Sequence, residues 1–359
     1  MTRSRRLEHA QTFCTRFRLR VPLLLAPMAG VRAPELSIAV ADAGAMGACG
    51  ALLMEPKEIE EWIAEVRAAT DGPLQLNLWI PDPPPVRDER REAAVRDFIS
   101  SWGPSPTAEQ SRVRLPNFAE QCRTLLAASP AVVSSVMGVF PPPFVDGLKS
   151  RGIAWFATVS TVAEARAAAE AGADVIVAQG AEAGGHRAAF DGDAAEQTLV
   201  GLLSLLPAVV DAVKVPVVAA GGIADGRGVA AALLLGASAV QIGTGFLRTP
   251  EAGIHPAWAA ALAGTAPEQT RVSRVFSGRA GRSIATAYVR AATGAGAPPP
   301  APYPVQRALT AAMRADAVTQ GDVERMQAWA GQSASLAPAM PARDLVAKLW
   351  RDAQGLLDG

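Results

Sequence analysis

Two stretches of this chain repeat one design, and that repeat limits the fold more than any other feature. TVAEARAAAEAGADVIV (161–177) and DGRGVAAALLLGASAVQIG (225–243) are each an Ala-rich helical run, stopped by Gly172 or Gly236 and followed at once by an apolar strand. Asp225 stands where a helix N-cap belongs, and the two glycines stand where helices end. Units of this kind in series are right-handed βα modules, and they build either an open doubly wound sheet or a closed barrel. Short apolar runs that read as buried parallel strands fall at 23–26, 45–50, 74–78, 132–136, 153–158, 175–178, 217–220 and 239–242.

Eight such runs match a (β/α)8 barrel, and so does the placing of the polar and Gly-rich residues. PMAG, NLWIP, MGVFPPP, TVST, QGAEAGGHR, GGIADG and GTGF each follow a different strand. Barrel active sites are assembled in this way, from several βα loops at one face, whereas an open sheet gathers its ligand at one crevice. The expected fold is α/β: a TIM barrel with a smaller, mostly helical cap. Residues 1–248 form the barrel, interrupted by a Pro- and charge-rich cap excursion at 81–116. Residues 249–320 supply the helical cap and substrate region, and 321–359 the closing C-terminal helices, including VERMQAWAGQ (323–332).

Charge narrows the partners. The 359 residues carry 34 basic and 34 acidic side chains, a balance that argues against nucleic acid or an anionic membrane as partner. Cys14, Cys49 and Cys122 are scattered, with no zinc spacing and no CxxC, so no metal site is expected and a reducing cytoplasm fits. The apolar run 21–28 is too short to cross a membrane and is broken by Pro22 and Pro27. The basic N-terminus reads as a solvated lead-in to the first strand, in preference to a transit peptide.

The residues that carry chemistry sit at the strand ends. PVVAAGGIADG and GASAVQIGTGFLRT place Gly221–Gly222 after the seventh barrel strand and Gly243–Thr244 after the eighth. Exposed N–H groups on glycine turns and a threonine hydroxyl suit a phosphate, and these two loops are the usual barrel phosphate site. A Walker A loop is absent, and no G-x-G-x-x-G follows the first strand. After the sixth strand, Gln179 offers donor and acceptor groups, Gly184 and Gly185 admit a planar ring, and His186 is a candidate proton acceptor or anion-binding group. Asn77 places an amide in an apolar strand and needs a partner, either a flavin edge or a neighbouring loop. Met28 follows the first strand, where it either packs on a ring or fills the barrel top. None of Lys57, Lys149, Lys214 and Lys348 ends a barrel strand, so no Schiff-base lysine is apparent.

APM, QLNL, QGAEAGGH, PVVAAGGIADG and GASAVQIGTGFL together resemble the nitronate monooxygenases, formerly called 2-nitropropane dioxygenases. YPVQ (303–306) and AWAGQ (328–332) resemble blocks of the bacterial class I branch, and the likeness runs from about residue 21 to 350. The resemblance implies an FMN-dependent enzyme that oxidises alkyl nitronates of the propionate 3-nitronate type with O2, giving a carbonyl compound and nitrite. It implies flavin contacts from Met28, Asn77, Gln179, Gly184, Gly222, Gln241, Ile242, Gly243 and Thr244, an active-site role for His186, and substrate contacts from Tyr303 and Gln332. Two departures bear on the substrate. Gly281 stands where the family's SGRxAR block has alanine, and Trp79 follows LNL. The alternatives are an NAD(P)H-dependent FMN reductase of the same fold acting on enoyl-thioesters or quinones, a non-catalytic flavin- or metabolite-binding barrel, and a phosphate-binding barrel without flavin.

Overall fold

Eight parallel strands form one sheet in the computed structural model, which describes residues 7–31 and 33–358. They are β1 (Leu23–Leu25), β2 (Gly47–Gly50), β3 (Leu74–Trp79), β4 (Val132–Val136), β5 (Ala154–Val159), β6 (Val175–Gln179), β8 (Val217–Ala220) and β9 (Ala239–Ile242). Their order is β1-β9-β8-β6-β5-β4-β3-β2. A parallel bridge between Leu24 and Met46 joins β1 to β2, and Leu25 N donates to Met46 O at 2.9 Å. The sheet therefore closes on itself and leaves no edge to protect.

Alternation along each strand divides two apolar layers. Leu24, Phe156, Val175, Val177, Val218 and Ala239 share an inner cluster, while neighbours such as Trp155, Ile176, Ala219 and Val240 pack outward against the helices. Local chemistry sets where the helices begin. Asp225 accepts from the N–H groups of Arg227 and Gly228 to start the helix Gly226–Leu234. Thr161 and Glu164 form a reciprocal capping box at the start of Val162–Glu170. The last helix, Ala342–Asp358, packs against Gly226–Leu234 and Pro34–Asp42. It comes so close that a Cβ on Gly226 would lie 2.5 Å from the Cβ of Asp352.

The N-terminal segment is not simply a solvated lead-in. Glu8–Phe17 is a helix whose Phe13 and Phe17 join the inner cluster, with the rings of Phe17 and Phe156 at 5.0 Å. It seals the end of the barrel where the strands begin, and sequence alone could not show that these two aromatics face inward. The transit-peptide alternative also involves residues 1–6, which lie outside the described residues.

Away from the barrel, the helix Glu89–Ser100 contributes Val95 and Ile99 to a cluster with Phe276, Tyr288, Leu309 and Met313. The excursion after β3 thus packs on the segment after β9. That region also contains a small antiparallel sheet, β10 (Thr270–Ser273), β11 (Gly281–Ile284) and β7 (Gly185–His186), in the order β10-β11-β7. Residues 323–332, expected to be helical, form no helix: turns at 323–326 lead into a stretch with a single strand bridge at Trp329. Ile284 N donates to Ala328 O at 2.9 Å, and Trp329 bridges Ser283. The backbone partners on β11 outweigh the segment's own helical tendency. Among the described residues beyond 320, Ala342–Asp358 is the one α-helix.

Candidate active site

The strand ends of the barrel open into a cleft of about 460 Å³, roofed by the segments that follow β9. Met28, Asn77, Gln179 and Gly184 line it, as do Gly222, Gln241, Gly243 and Thr244. His186 and Tyr303 line it too. Ile242 and Gln332 do not. Ile242 is 1% exposed and, by strand alternation, belongs to the outer apolar layer, one residue out of phase with the inward-facing Gln241. Gln332 instead ties the backbone of its segment to the β6 loop, its N–H donating to Glu182 O at 2.9 Å.

One wall is built from backbone. Gly221 and Gly222 have φ of +104° and +70°, in the left-handed region that glycine adopts at no steric cost. The N–H groups of Gly221, Gly222 and Gly243 make no hydrogen bond among the described residues. Gly221 and Gly243 are half-buried and Gly222 is exposed, so their open N–H groups are accessible, and successive glycine N–H groups left open beside a cleft can seat an anion. Close approach keeps this wall thin: a Cβ on Gly184 would lie 2.5 Å from Gly331 N. Gly331 N itself donates to Thr244 Oγ1 at 2.9 Å, and Ser333 Oγ donates to Gly222 O at 2.6 Å. The stretch after residue 328 therefore braces the cradle.

Polar side chains at the barrel mouth are tethered. Asn77 Nδ2 donates to Ser134 O and Ser134 Oγ on the adjacent strand β4, where the sequence reading had offered a flavin edge or a neighbouring loop. Gln179 donates to His186 O and accepts from Ala188 N, so its amide clamps the β6–β7 loop. Deeper in, Gln75 Nε2 donates to Leu25 O and to Gln241 Oε1, fixing the Gln241 amide.

The opposite wall is aromatic. His186 sits between two indoles, with Trp79 at 4.7 Å edge-on and Trp329 at 4.8 Å. Tyr303 packs on Trp79 at 5.5 Å, and its buried hydroxyl has no hydrogen-bond partner among the described residues. Ser277 Oγ lies 2.8 Å from His186 Nε2 and 3.1 Å from Arg279 O, and so fixes the imidazole plane. The ring touches the cleft but is enclosed by protein. Burial pushes its pKa down to about 3, helped by the nearby Arg279 and Arg307. His186 is thus a neutral imidazole at physiological pH. Because the unfolded histidine titrates near its ordinary value of 6.5, the unfolded chain binds a proton there that the folded chain refuses. The cofactor-free protein should lose stability as pH falls from about 6.5 toward 3, and His186→Asn should flatten that slope in a urea titration. Equal slopes for both proteins would show that His186 is not held neutral.

A model of the family described as nitronate monooxygenase matches residues 11–352. The chain belongs to the nitronate monooxygenase family. Membership makes it a flavin-dependent oxidoreductase. A nitronate monooxygenase of Paraburkholderia phytofirmans is 37% identical over 341 residues, 92% of either chain. One from Pseudomonas aeruginosa is also 37% identical, over 93% of this chain and 96% of its own. Among solved structures, the nitroalkane oxidase from Streptomyces ansochromogenes matches with a TM-score of 0.88 and 34% identity, over 96% of this chain and 98% of that one. FabK from Thermotoga maritima matches at 0.74 and 26%, over 97% of both.

Within that family frame, the two sequence departures meet at His186. Gly281 pairs with His186 across the small sheet, and a Cβ at 281 would come 3.0 Å from the ring of Trp329. The glycine leaves room for Trp329 against the imidazole, and Trp79 closes the other side. The sequence reading missed Trp329, Ser277, Arg307 and Arg314. Trp329 lay hidden in a segment read as a closing helix. Ser277 lay in the quoted SGRAGRS block, and only folding brings it to His186.

Proposed function

We propose that this protein binds FMN and oxidises alkyl nitronates with O2 to a carbonyl compound and nitrite, acting on small molecules in the cytoplasm. The observation that carries this reading is one cleft that joins a cradle of open glycine N–H groups to a neutral, aromatic-boxed His186. The open N–H groups of Gly221, Gly222 and Gly243 fit the phosphate of FMN. Met28, Asn77, Gln179, Gly184, Gln241 and Thr244 surround the space for its ring. Bound FMN supplies the electron acceptor that the protein's own side chains lack. Cys14, Cys49 and Cys122 form no disulfide among the described residues, which accords with a reducing compartment. No helix among the described residues is long and apolar enough to cross a membrane.

The protein's own contribution is positional. A nitronate arrives already deprotonated, so the site must hold an anion, orient it and keep water away. Trp79, Trp329 and Tyr303 exclude water around His186. The imidazole, kept neutral, meets the substrate as a hydrogen-bonding group without a charge to bury. The test is O2 uptake by the FMN-loaded protein on adding propionate 3-nitronate, with no NAD(P)H present. Uptake with release of nitrite is the expected result. A yellow, FMN-loaded protein that consumes O2 only when NAD(P)H is added would instead make it a reductase of the same fold.

A further inference from the structure

Two residues that hold His186 belong to segments far apart in the chain. Trp79 ends β3, and Ser277 belongs to the loop between β10 and β11. A proline-rich strap, residues 81–87, follows Trp79 and Ile80. Pro81, Pro83, Pro84 and Pro85 carry no N–H, and no backbone–backbone hydrogen bond among the described residues involves 81–87. Side chains near its two ends hold the strap instead. At the far end, Arg87 Nε and Nη2 donate to the Glu92 carboxylate at 2.5 and 2.6 Å. At the near end, Asp82 Oδ1 lies 3.2 Å from Arg279 Nη2.

The near contact is an ion pair in dry surroundings. The Arg279 side chain is 5% exposed, and neither its Nε nor its Nη2 has a hydrogen-bond partner among the described residues. Burial raises the Asp82 carboxyl above its ordinary value, while Arg279 pulls it down and Asp193 pushes it up. A buried guanidinium with few hydrogen bonds depends on its counter-charge, because losing it leaves an uncompensated charge. The backbone of the same arginine reaches His186. Ser277 Oγ donates to Arg279 O at 3.1 Å and accepts from Arg279 N at 3.3 Å. A hydroxyl has one proton. With that proton given to Arg279 O, the 2.8 Å contact takes its proton from His186 Nε2. The neutral imidazole is therefore the Nε2–H tautomer, fixed through the position of residue 279. Neither Asp82 nor Arg279 lines the cleft.

We propose that Asp82 and Arg279 are positioning residues: their ion pair clasps the strap that follows Trp79 to the loop that carries Ser277, and so sets the tautomer and orientation of His186 from outside the cleft. The clasp itself rests on geometry. Its effect on turnover rests on the nitronate reading of the same site.

His186 is one of three histidines, so NMR of nitrogen-labelled histidine reports it directly. In the wild type at neutral pH, the signals that disappear in His186→Asn should show a proton on Nε2 and none on Nδ1. That observation needs no clasp variant to fold. Asp82→Asn keeps the side chain's shape and removes its charge. It should shift the His186 signals and leave those of His9 and His255 in place. Kinetics supplies the second arm. In FMN-loaded protein, Asp82→Asn should lower kcat for propionate 3-nitronate by about 10-fold with KM nearly unchanged, and Asp82→Glu should restore part of it. In a Ser277→Ala background the link to His186 is already cut, and the same substitution should cost less than about 2-fold. A proton on Nδ1 in the wild type overturns the proposal. So do unmoved His186 signals in Asp82→Asn, or equal kinetic effects in the two backgrounds. A wild type that oxidises no nitronate is a different result: it removes the proposed function and the kinetic arm, while the His186 signals still decide the clasp.

Discussion

His186→Asn is expected to lower kcat/KM for propionate 3-nitronate by about 100-fold at unchanged flavin content, the scale of removing one positioned group from a dry site. Two roles compete for this histidine, and the downward direction of its pKa shift favours the one that needs no base. A general base works best with a pKa near the operating pH. Enclosure between Trp79 and Trp329, with Arg279 and Arg307 near, drives the imidazole down to about 3. A base that weak is a poor acceptor for the α-proton of a neutral nitroalkane. The wild type should therefore oxidise preformed nitronates far faster than the parent nitroalkanes. Its kcat/KM for nitronate should also show no histidine titration between about pH 5 and 8. Steady-state O2 uptake across that range, with each form of substrate added fresh, checks both statements. Rapid turnover of the neutral nitroalkane, rising through a group near pH 6 to 7, would restore the general-base role.

Gly184→Val is expected to cost about 100-fold in FMN affinity, seen as protein that purifies colourless and takes up FMN weakly in a fluorescence titration. The reason is space. A Cβ at 184 would lie 2.5 Å from Gly331 N, 2.7 Å from the Ala330 carbonyl carbon and 2.9 Å from Thr244 Oγ1. Two of those atoms are backbone, and the third accepts the Gly331 hydrogen bond, so relief requires moving the wall that lines the cleft. The neighbouring glycine provides the contrast. Gly185 has φ of +75° but nothing within 4 Å of an added Cβ. Gly185→Ala should therefore cost only the left-handed backbone penalty, about 1–2 kcal/mol, with FMN affinity near that of the wild type. Equal losses at the two positions would mean that loop conformation, and not closeness of approach, is what the β6–β7 loop needs.

The barrel was legible because its signals are local. Apolar runs of strand length, Ala-rich helices and stopping glycines lie within a few residues of one another, and all eight expected strands form. The glycine turns at 221–222 and 243 were legible for the same reason, since a strand end followed by glycine announces an open backbone. Alternation was harder to phase. Gln241 and Ile242 are adjacent in one motif, yet only the first faces the cleft, because successive strand residues point to opposite layers.

By itself, then, the sequence determined the barrel, the end of it where the cleft opens, and the glycines and histidine of its sixth, seventh and eighth strand loops that line that cleft. These depend on residue type and spacing within single βα units. Tertiary structure alone decided the surroundings of that histidine. Trp79, Ser277, Arg307 and Trp329 span most of the chain, and no local pattern links them. Trp329 reaches His186 because residues around 328–330 pair with β11, and β11 pairs with β7 at Gly281. Phe13 and Phe17 likewise close the far end of the barrel only because a hydrophobic opening exists there once the sheet has curled. Contacts of this kind reward the chain only after its loops have closed, so the information for them is distributed over the whole sequence and becomes visible in the fold.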